Sequence, residues 1–166
     1  MRQYYDTFST PAGDFSIAVD ANGSVIATAF GGLAELRERF AADEVAHDPV
    51  RVAAARLEVT EYFAGKRGSF TVKLAPSGTP FQQSVWAALQ RIPRGETRSY
   101  GQLATEIGNP NASRAVGRAN ATNPIALLIP CHRVIGSDGA MTGFAFGEDI
   151  KRQLLEHEAA LSPALV

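Results

Sequence analysis

Cysteine is nearly missing from this chain. Cys131 stands alone among 166 residues, which excludes an internal disulfide framework and any zinc site built from several thiolates. Histidine is scarce too: only His47, His132 and His157 occur, at no metal-like spacing, so neither a metal nor another cofactor is expected. Long apolar runs are also missing. The longest, Ile125 to Pro130, is far too short to cross a bilayer. The opening residues Met1 to Asp6 lack the apolar stretch of a secretory leader. The expectation is a cytoplasmic protein with no membrane partner. An excess of one charge is lacking as well: the net charge is −1, so nothing global marks a nucleic-acid binder.

The distribution of charge says more than its sum. Residues 1–90 carry net −2 and residues 134–166 net −3, whereas residues 91–133 carry six arginines against Glu96 and Glu106, net +4. A local basic stretch can grip phosphates while the whole chain stays near neutral. A solvated arginine-rich face would look the same. Length and composition are those of one or two small domains with enough chain to bury a core.

The first 75 residues read as strands followed by helices. Tyr4–Ser9, Asp14–Asp20 and Ser24–Phe30 are rich in β-branched and aromatic residues, with turn chemistry at Pro11-Ala12-Gly13 and Ala21-Asn22-Gly23 between them. This predicts a small antiparallel sheet. Leu33–Ala41 reads as a short helix and Pro49–Ala64 as a longer one, with Val52, Leu57, Val59, Tyr62 and Phe63 among its apolar residues. Phe70–Leu74 reads as a last strand. No catalytic constellation stands out here, and a structural role is expected for a domain over 1–75.

Ala75-Pro76-Ser77-Gly78 reads as a linker to a second domain over 79–166. Thr79, Pro80 and Gln82 form a helix start with a capping box, followed by an apolar stripe of Phe81, Val85, Leu89 and Ile92 with Trp86 alongside. Ser99 and Gln102 repeat the box for a short helix that buries Leu103, Ala104 and Ile107 and stops at Gly108 and Pro110. A further helix over 112–121 turns Ala115, Val116 and Ala119 to one side, with Arg114, Arg118 and Asn120 elsewhere. Helix, tight turn and a second helix with small residues and arginine make a helix-turn-helix pattern. By itself the pattern also fits many proteins that never touch DNA.

The chemistry concentrates at Pro130-Cys131-His132-Arg133. A thiol beside histidine and arginine sits in positive potential, which favours the thiolate. The preceding apolar run suggests a buried segment that delivers the thiol to a pocket. Asn123 has the chemistry to hydrogen-bond and hold this loop. His132, as the next residue, need not touch the sulfur directly and can work through a bent backbone or one bridging water.

Pro130-Cys131-His132-Arg133-Val134-Ile135 strongly resembles the active-site signature of the O6-alkylguanine-DNA alkyltransferases. The resemblance runs from about Thr79 to Glu158 through Ser99-Tyr100-Gly101-Gln102-Leu103-Ala104, Ser113-Arg114-Ala115-Val116-Gly117, Asn123-Pro124 and Leu154-Leu155-Glu156-His157-Glu158, in matching order and spacing. It implies an α/β (α+β) fold: a ribonuclease-H-like roll with the small antiparallel sheet, then a mostly helical domain with the helix-turn-helix. It implies that Cys131 accepts the alkyl group in a single, irreversible turnover, that His132 passes the thiol proton through a water toward Glu158, and that Asn123 braces the turn. Tyr100 would crowd a backbone phosphate, assist nucleotide rotation and protonate the leaving guanine. Arg114 would fill the gap left by the flipped base, with Ala115, Gly117, Arg118 and Arg133 as further DNA contacts. The implied partner is double-stranded DNA, met in the minor groove by a monomer, with or without cooperative loading. The adducts are O6-alkylguanine and, as an open extension, O4-alkylthymine.

The loop Met141 to Gly147 should line the base pocket, with Val134, Phe144, Ala145 and Phe146. Family members often carry tyrosine where Phe144 stands and glycine where Phe146 stands. That departure predicts a preference for methyl over benzyl-sized adducts. Two rival readings remain at this stage. A cysteine hydrolase would need a sequence-distant base and an oxyanion hole, and neither stands out. A non-catalytic damage binder resembles the alkyltransferase-like proteins, but those lack the acceptor cysteine.

Overall fold

The computed structural model describes residues 2–41, 44–141 and 143–159. Its described residues divide into two compact units. The first contains residues up to Ser77 together with Pro124–Leu128, and the second contains Gly78–Asn123 and the residues from Ile129 onward.

In the first unit β1 (Arg2–Thr10), β2 (Gly13–Val19) and β3 (Val25–Phe30) form the expected antiparallel meander. The sheet is nevertheless mixed, because β4 (Glu44–His47) pairs parallel to β1 and gives the order β3-β2-β1-β4. Glu44-Val45-Ala46-His47 is too short and too polar to announce itself as a strand; pairing of all four residues with Arg2–Tyr5 along the β1 edge makes it one. The central strand β2 is buried from Phe15 to Val19. The Ser16 hydroxyl, buried with it, donates to the Gly31 carbonyl at 2.7 Å and lies 2.7 Å from the Thr7 hydroxyl.

Helix α1 (Leu33–Arg37) is shorter than the pattern suggests, since i+3 bonds from Glu38 and Arg39 tighten and close its last turn. Helix α2 (Pro49–Phe63) starts where Asp48 accepts from the Arg51 amide at 3.2 Å, with Pro49 at the first helical position. It buries Val52, Val59 and Tyr62, while Leu57 points outward at 58% exposure. The strand expected over 70–74 reduces to one bridge between Leu74 and Val25. The reason is Glu58: its buried carboxylate takes the Thr71 and Val72 amides at 2.8 and 3.2 Å and the Thr71 hydroxyl at 2.6 Å, so a side chain uses donors a ladder would need. Pro124–Leu128 lies against β3, where the Thr28 amide donates to the Pro124 carbonyl at 2.9 Å and its hydroxyl to Ala126 at 2.6 Å. Leu127, buried, holds a left-handed φ of 74°. Such a conformation costs a branched residue roughly 1–2 kcal/mol and persists where surrounding packing imposes it.

The second unit is mostly helical. Helix α3 (Pro80–Gln90) carries the capping box of Thr79 and Gln82, with bonds of 3.1 and 2.8 Å. Its Val85, Trp86 and Leu89 are buried. The Trp86 indole N–H donates to the Ala119 carbonyl at 2.8 Å, so the largest side chain of this core is also satisfied. Gly78 permits that placement, since a Cβ there would strike the indole. After β5 (Arg98–Ser99), α4 (Tyr100–Glu106) starts on the Ser99–Gln102 box and closes before Gly108, whose φ is +80°. Helix α5 (Ser113–Ala121) follows, then a 3₁₀ turn at Cys131–Arg133, β6 (Val134–Ile135) parallel to β5, and α6 (Glu148–Ala159). Among the described residues no helix is long and apolar enough to cross a membrane.

Candidate active site

Cys131 opens the 3₁₀ turn and is 5% exposed. Its backbone is pinned on both sides. Its amide donates to the Ile129 carbonyl at 2.7 Å, and the same carbonyl accepts from Asn123 Nδ2 at 2.9 Å. Its own carbonyl accepts from the Val134 amide and, at 3.4 Å, from Asn120 Nδ2. Asn120 and Asn123 lie three residues apart at the end of α5, and both are buried. The sequence placed Asn120 off the packed side of the helix. The structure turns it inward, because the turn carrying Cys131 offers a carbonyl to satisfy it.

His132 is fully buried, and its Nε2 lies 2.7 Å from Glu158 Oε2. Arg133 closes the group: its Nε and Nη2 donate to the two Glu158 oxygens at 3.0 Å each, and Nη1 donates to the Ile92 carbonyl at 2.7 Å. This corrects the expectation that Arg133 meets DNA. It is 6% exposed, and its guanidinium faces a buried carboxylate. The two-pronged pairing fixes Glu158, which in turn aims the imidazole. Glu158 also departs from the ordinary behaviour of a glutamate near a helix end. It lies within α6 and is 2% exposed.

The electrostatics follow from this packing. Burial pushes the Glu158 carboxyl up, but His132 and Arg133 outweigh it and hold the group well below the usual carboxylate range. Burial pushes the His132 imidazole down, and Glu158 offsets this only in part, so the ring is neutral near pH 7. An ionised carboxylate can only accept, so Nε2 carries the proton and Nδ1 is left with its lone pair. Among the described residues Nδ1 has no hydrogen-bond partner.

Lys151 was not singled out in the sequence. It is wholly buried, and its Nζ donates to the Val134 carbonyl at 2.5 Å. Burial pulls its ammonium below the ordinary lysine range, and the charge of Cys131 partly restores it. The signal was available: Lys151, Leu154 and Glu158 recur at helical spacing on one stripe of α6, so a cation and an anion share its apolar face. Tyr100 opens α4, half-buried. Burial raises its hydroxyl pKa and the Cys131 charge raises it further, which keeps the phenol protonated. Tyr100 and Lys151 thus both lie within electrostatic reach of the sulfur.

Gly143 and Gly117 make room for Tyr100. A Cβ on Gly143 (φ +84°) would collide with the phenol oxygen, and one on Gly117 would stand 3.9 Å from the ring. On α5, Arg114 and Arg118 are exposed one turn apart, with Ala115 and Gly117 half-buried between them. Of the expected pocket residues, Val134 is fully buried on β6, and Phe144 is buried edge-to-face with Phe146 at 5.6 Å. Ala145 is exposed, and Thr142, within the expected pocket loop, lies outside the described residues.

A single thiol, bonded neighbours on both flanks and a carboxylate-held neutral imidazole define a protein built around one cysteine nucleophile. Residues 80–160 match the family model described as the 6-O-methylguanine DNA methyltransferase DNA binding domain. The chain is 49% identical over 159 residues to the methylated-DNA–protein-cysteine methyltransferase of Methanosarcina acetivorans, covering 95% of this chain and 99% of that one. It is 44% identical over 163 residues to the Mycobacterium tuberculosis protein of the same name, covering 97% and 95%. Its fold is similar to that of Mycobacterium tuberculosis OGT crystallised in complex with DNA, with a TM-score of 0.86 at 42% identity, covering 97% of this chain and 96% of that one. The chain belongs to the methylated-DNA–protein-cysteine methyltransferase family.

Proposed function

We propose that this protein repairs DNA by direct reversal, moving an alkyl group from O6 of guanine in a duplex onto Cys131. The observation that carries the reading is the buried run Cys131-His132-Glu158-Arg133, in which a neutral imidazole with an open Nδ1 adjoins the one thiol of the chain.

The thiol proton passes through a water to His132 Nδ1, and the imidazolium that forms is stabilised by the Glu158 carboxylate. The thiolate then attacks the alkyl carbon. The S–C bond forms, the C–O6 bond breaks, and its electron pair leaves with the guanine. Tyr100, protonated and near the sulfur, supplies the proton that makes the leaving base neutral. Asn123 braces the turn. The resulting thioether is a stable C–S bond, so each molecule acts once. Adducts on O4 of thymine present the same carbon to the same sulfur, and their transfer is a natural extension.

An adduct inside the stacked duplex is out of reach, so the nucleotide must rotate out, at a cost of a few kcal/mol. Helices α4 and α5 act as the helix-turn-helix, with Arg114 filling the vacated stack and Ala115 and Gly117 letting α5 approach in the minor groove. Arg118 adds phosphate contact. Val134, Phe144, Ala145 and Phe146 line the pocket for the base. Residues from 79 onward carry binding and transfer, residues 1–75 have a structural role, and the protein works as a cytoplasmic monomer on DNA. The test is intact mass after mixing with duplex containing one O6-methylguanine. One added methylene on Cys131, mole for mole with repaired lesion, is expected. An unmodified Cys131 with the lesion persisting would overturn the proposal.

A further inference from the structure

Two asparagines reach the backbone around the nucleophile, and only one has a role above. Asn123 holds the carbonyl of Ile129, two residues before Cys131, and Asn120 holds the carbonyl of Cys131 itself. Asn120 is 2% exposed, and its Oδ1, like His132 Nδ1, is shut off from solvent with no hydrogen-bond partner among the described residues. A buried amide oxygen left unpaired costs about 1–3 kcal/mol, so an asparagine kept there calls for a hydrogen donor.

Both open atoms are tied to the Cys131 carbonyl. Asn120 Oδ1 shares an amide carbon with the Nδ2 that contacts the Cys131 carbonyl, and that carbonyl carbon is bonded to the nitrogen of His132. Their chemistry is complementary to a single water. The Cys131 S–H can donate, and His132 Nδ1 and Asn120 Oδ1 each require a donor. One water accepts from the first and donates to the other two, three bonds being the usual number for a buried water.

We propose that Asn120 is a positioning residue for the thiol: Nδ2 holds the Cys131 carbonyl, and Oδ1 orients the water that carries the thiol proton to His132. This rests on the alkyl-transfer reading above. In the step, the S–H bond breaks and the water takes that proton. The water passes its own proton to Nδ1 and keeps its second O–H on Asn120. A thiolate and an imidazolium paired with Glu158 result. The titratable and charged groups around the sulfur are Tyr100 from α4, His132 and Arg133 from the turn, and Lys151 and Glu158 from α6.

The test compares wild type with Asn120→Leu and the isosteric Asn120→Asp in two assays. One follows Cys131 alkylation by iodoacetamide without DNA, from about pH 5 to pH 10. The other follows single-turnover methyl transfer from an O6-methylguanine duplex. Asn120→Leu should slow methyl transfer by about 10- to 100-fold with duplex affinity within about twofold of wild type. Asn120→Leu adds no charge, so loss of the amide's hold should itself move the iodoacetamide profile up by about one pH unit, and Asn120→Asp should move it at least as far. A purely structural role would lower Tm and leave the Asn120→Leu profile in place, which overturns the inference; if Asn120→Leu does not fold, an unmoved Asn120→Asp profile overturns it. A wild type that reacts with iodoacetamide but takes no methyl from DNA sinks the alkyl-transfer reading instead, while a displaced Asn120→Leu profile still supports Asn120's hold on the thiol.

Discussion

The least expendable side chain after Cys131 is Glu158, because three donors from two residues converge on its two oxygens. Replacing it by glutamine leaves the Arg133 guanidinium buried without its counter-charge. Loss of one partner from such a pair costs about 3–5 kcal/mol, so Glu158→Gln should lower the denaturation midpoint as well as methyl transfer. The site also sets an acid limit. His132 is held below its ordinary value of 6.5, so under mildly acidic conditions the unfolded chain binds the proton and the folded one resists it. Stability therefore starts to fall as pH drops below 6.5. Glu158 and, in the first unit, Glu58 are depressed from 4.5, and Asp6 from 3.8. Their contributions are complete above those values and are lost as pH falls through the lower folded values. Thermal melts across this range should show Tm falling below pH 6.5 and more steeply in the acid branch. A Tm flat from neutrality into that branch contradicts the neutral buried imidazole.

Elements matter here through what their ends deliver. Helix α5 exposes Arg114 and Arg118 near its start and middle and buries Asn120 at its end, so one short helix presents cations outward and an amide to the turn of the nucleophile. Arg118→Ala should weaken duplex binding about equally across sequences and reduce the slope of log affinity against log salt by about one. The loop before α6 is set against Tyr100 through Gly143. Gly143→Ala puts a Cβ at φ +84° and into the phenol oxygen. It should cost upward of about 1 kcal/mol in a denaturant titration and slow methyl transfer, since Tyr100 must move. Equal stability and rate would show that the contact constrains nothing.

At the scale of the whole molecule, the proposed reaction consumes the chain as a reagent. Loss of lesion plotted against protein should break at one equivalent, and Cys131→Ala should still bind duplex but gain no mass. If Phe144 and Phe146 line the base pocket as proposed, their bulk should make methyl a better substrate than benzyl. Trimming that bulk with Phe146→Gly should narrow the gap in single-turnover rates, and comparable methyl and benzyl rates in the wild type would remove the steric argument. With a net charge of −1, binding through the proposed local arginines should make affinity for duplex fall steeply with added salt.

Much was legible in local patterns. The capping boxes at Thr79 and Ser99, the three antiparallel strands, the left-handed stop at Gly108 and the isolated Cys131 beside His132 are properties of neighbouring residues. Neighbouring residues are what a sequence displays. What the sequence by itself determined is the presence of one potential nucleophile, the order of helices around it and the family they match. Partnerships across long separations had to wait for the fold. Strand β4 exists only because β1 offers an edge, and the 70–74 segment fails as a strand because Glu58 takes its amides. Arg133 turned from an expected DNA contact into the anchor of Glu158, Asn120 came inward, and Lys151 emerged at the sulfur. In each case burial raised the energetic penalty for an unpaired charge or amide. The choice of partner then fell to whichever group the folded chain brought within hydrogen-bond reach.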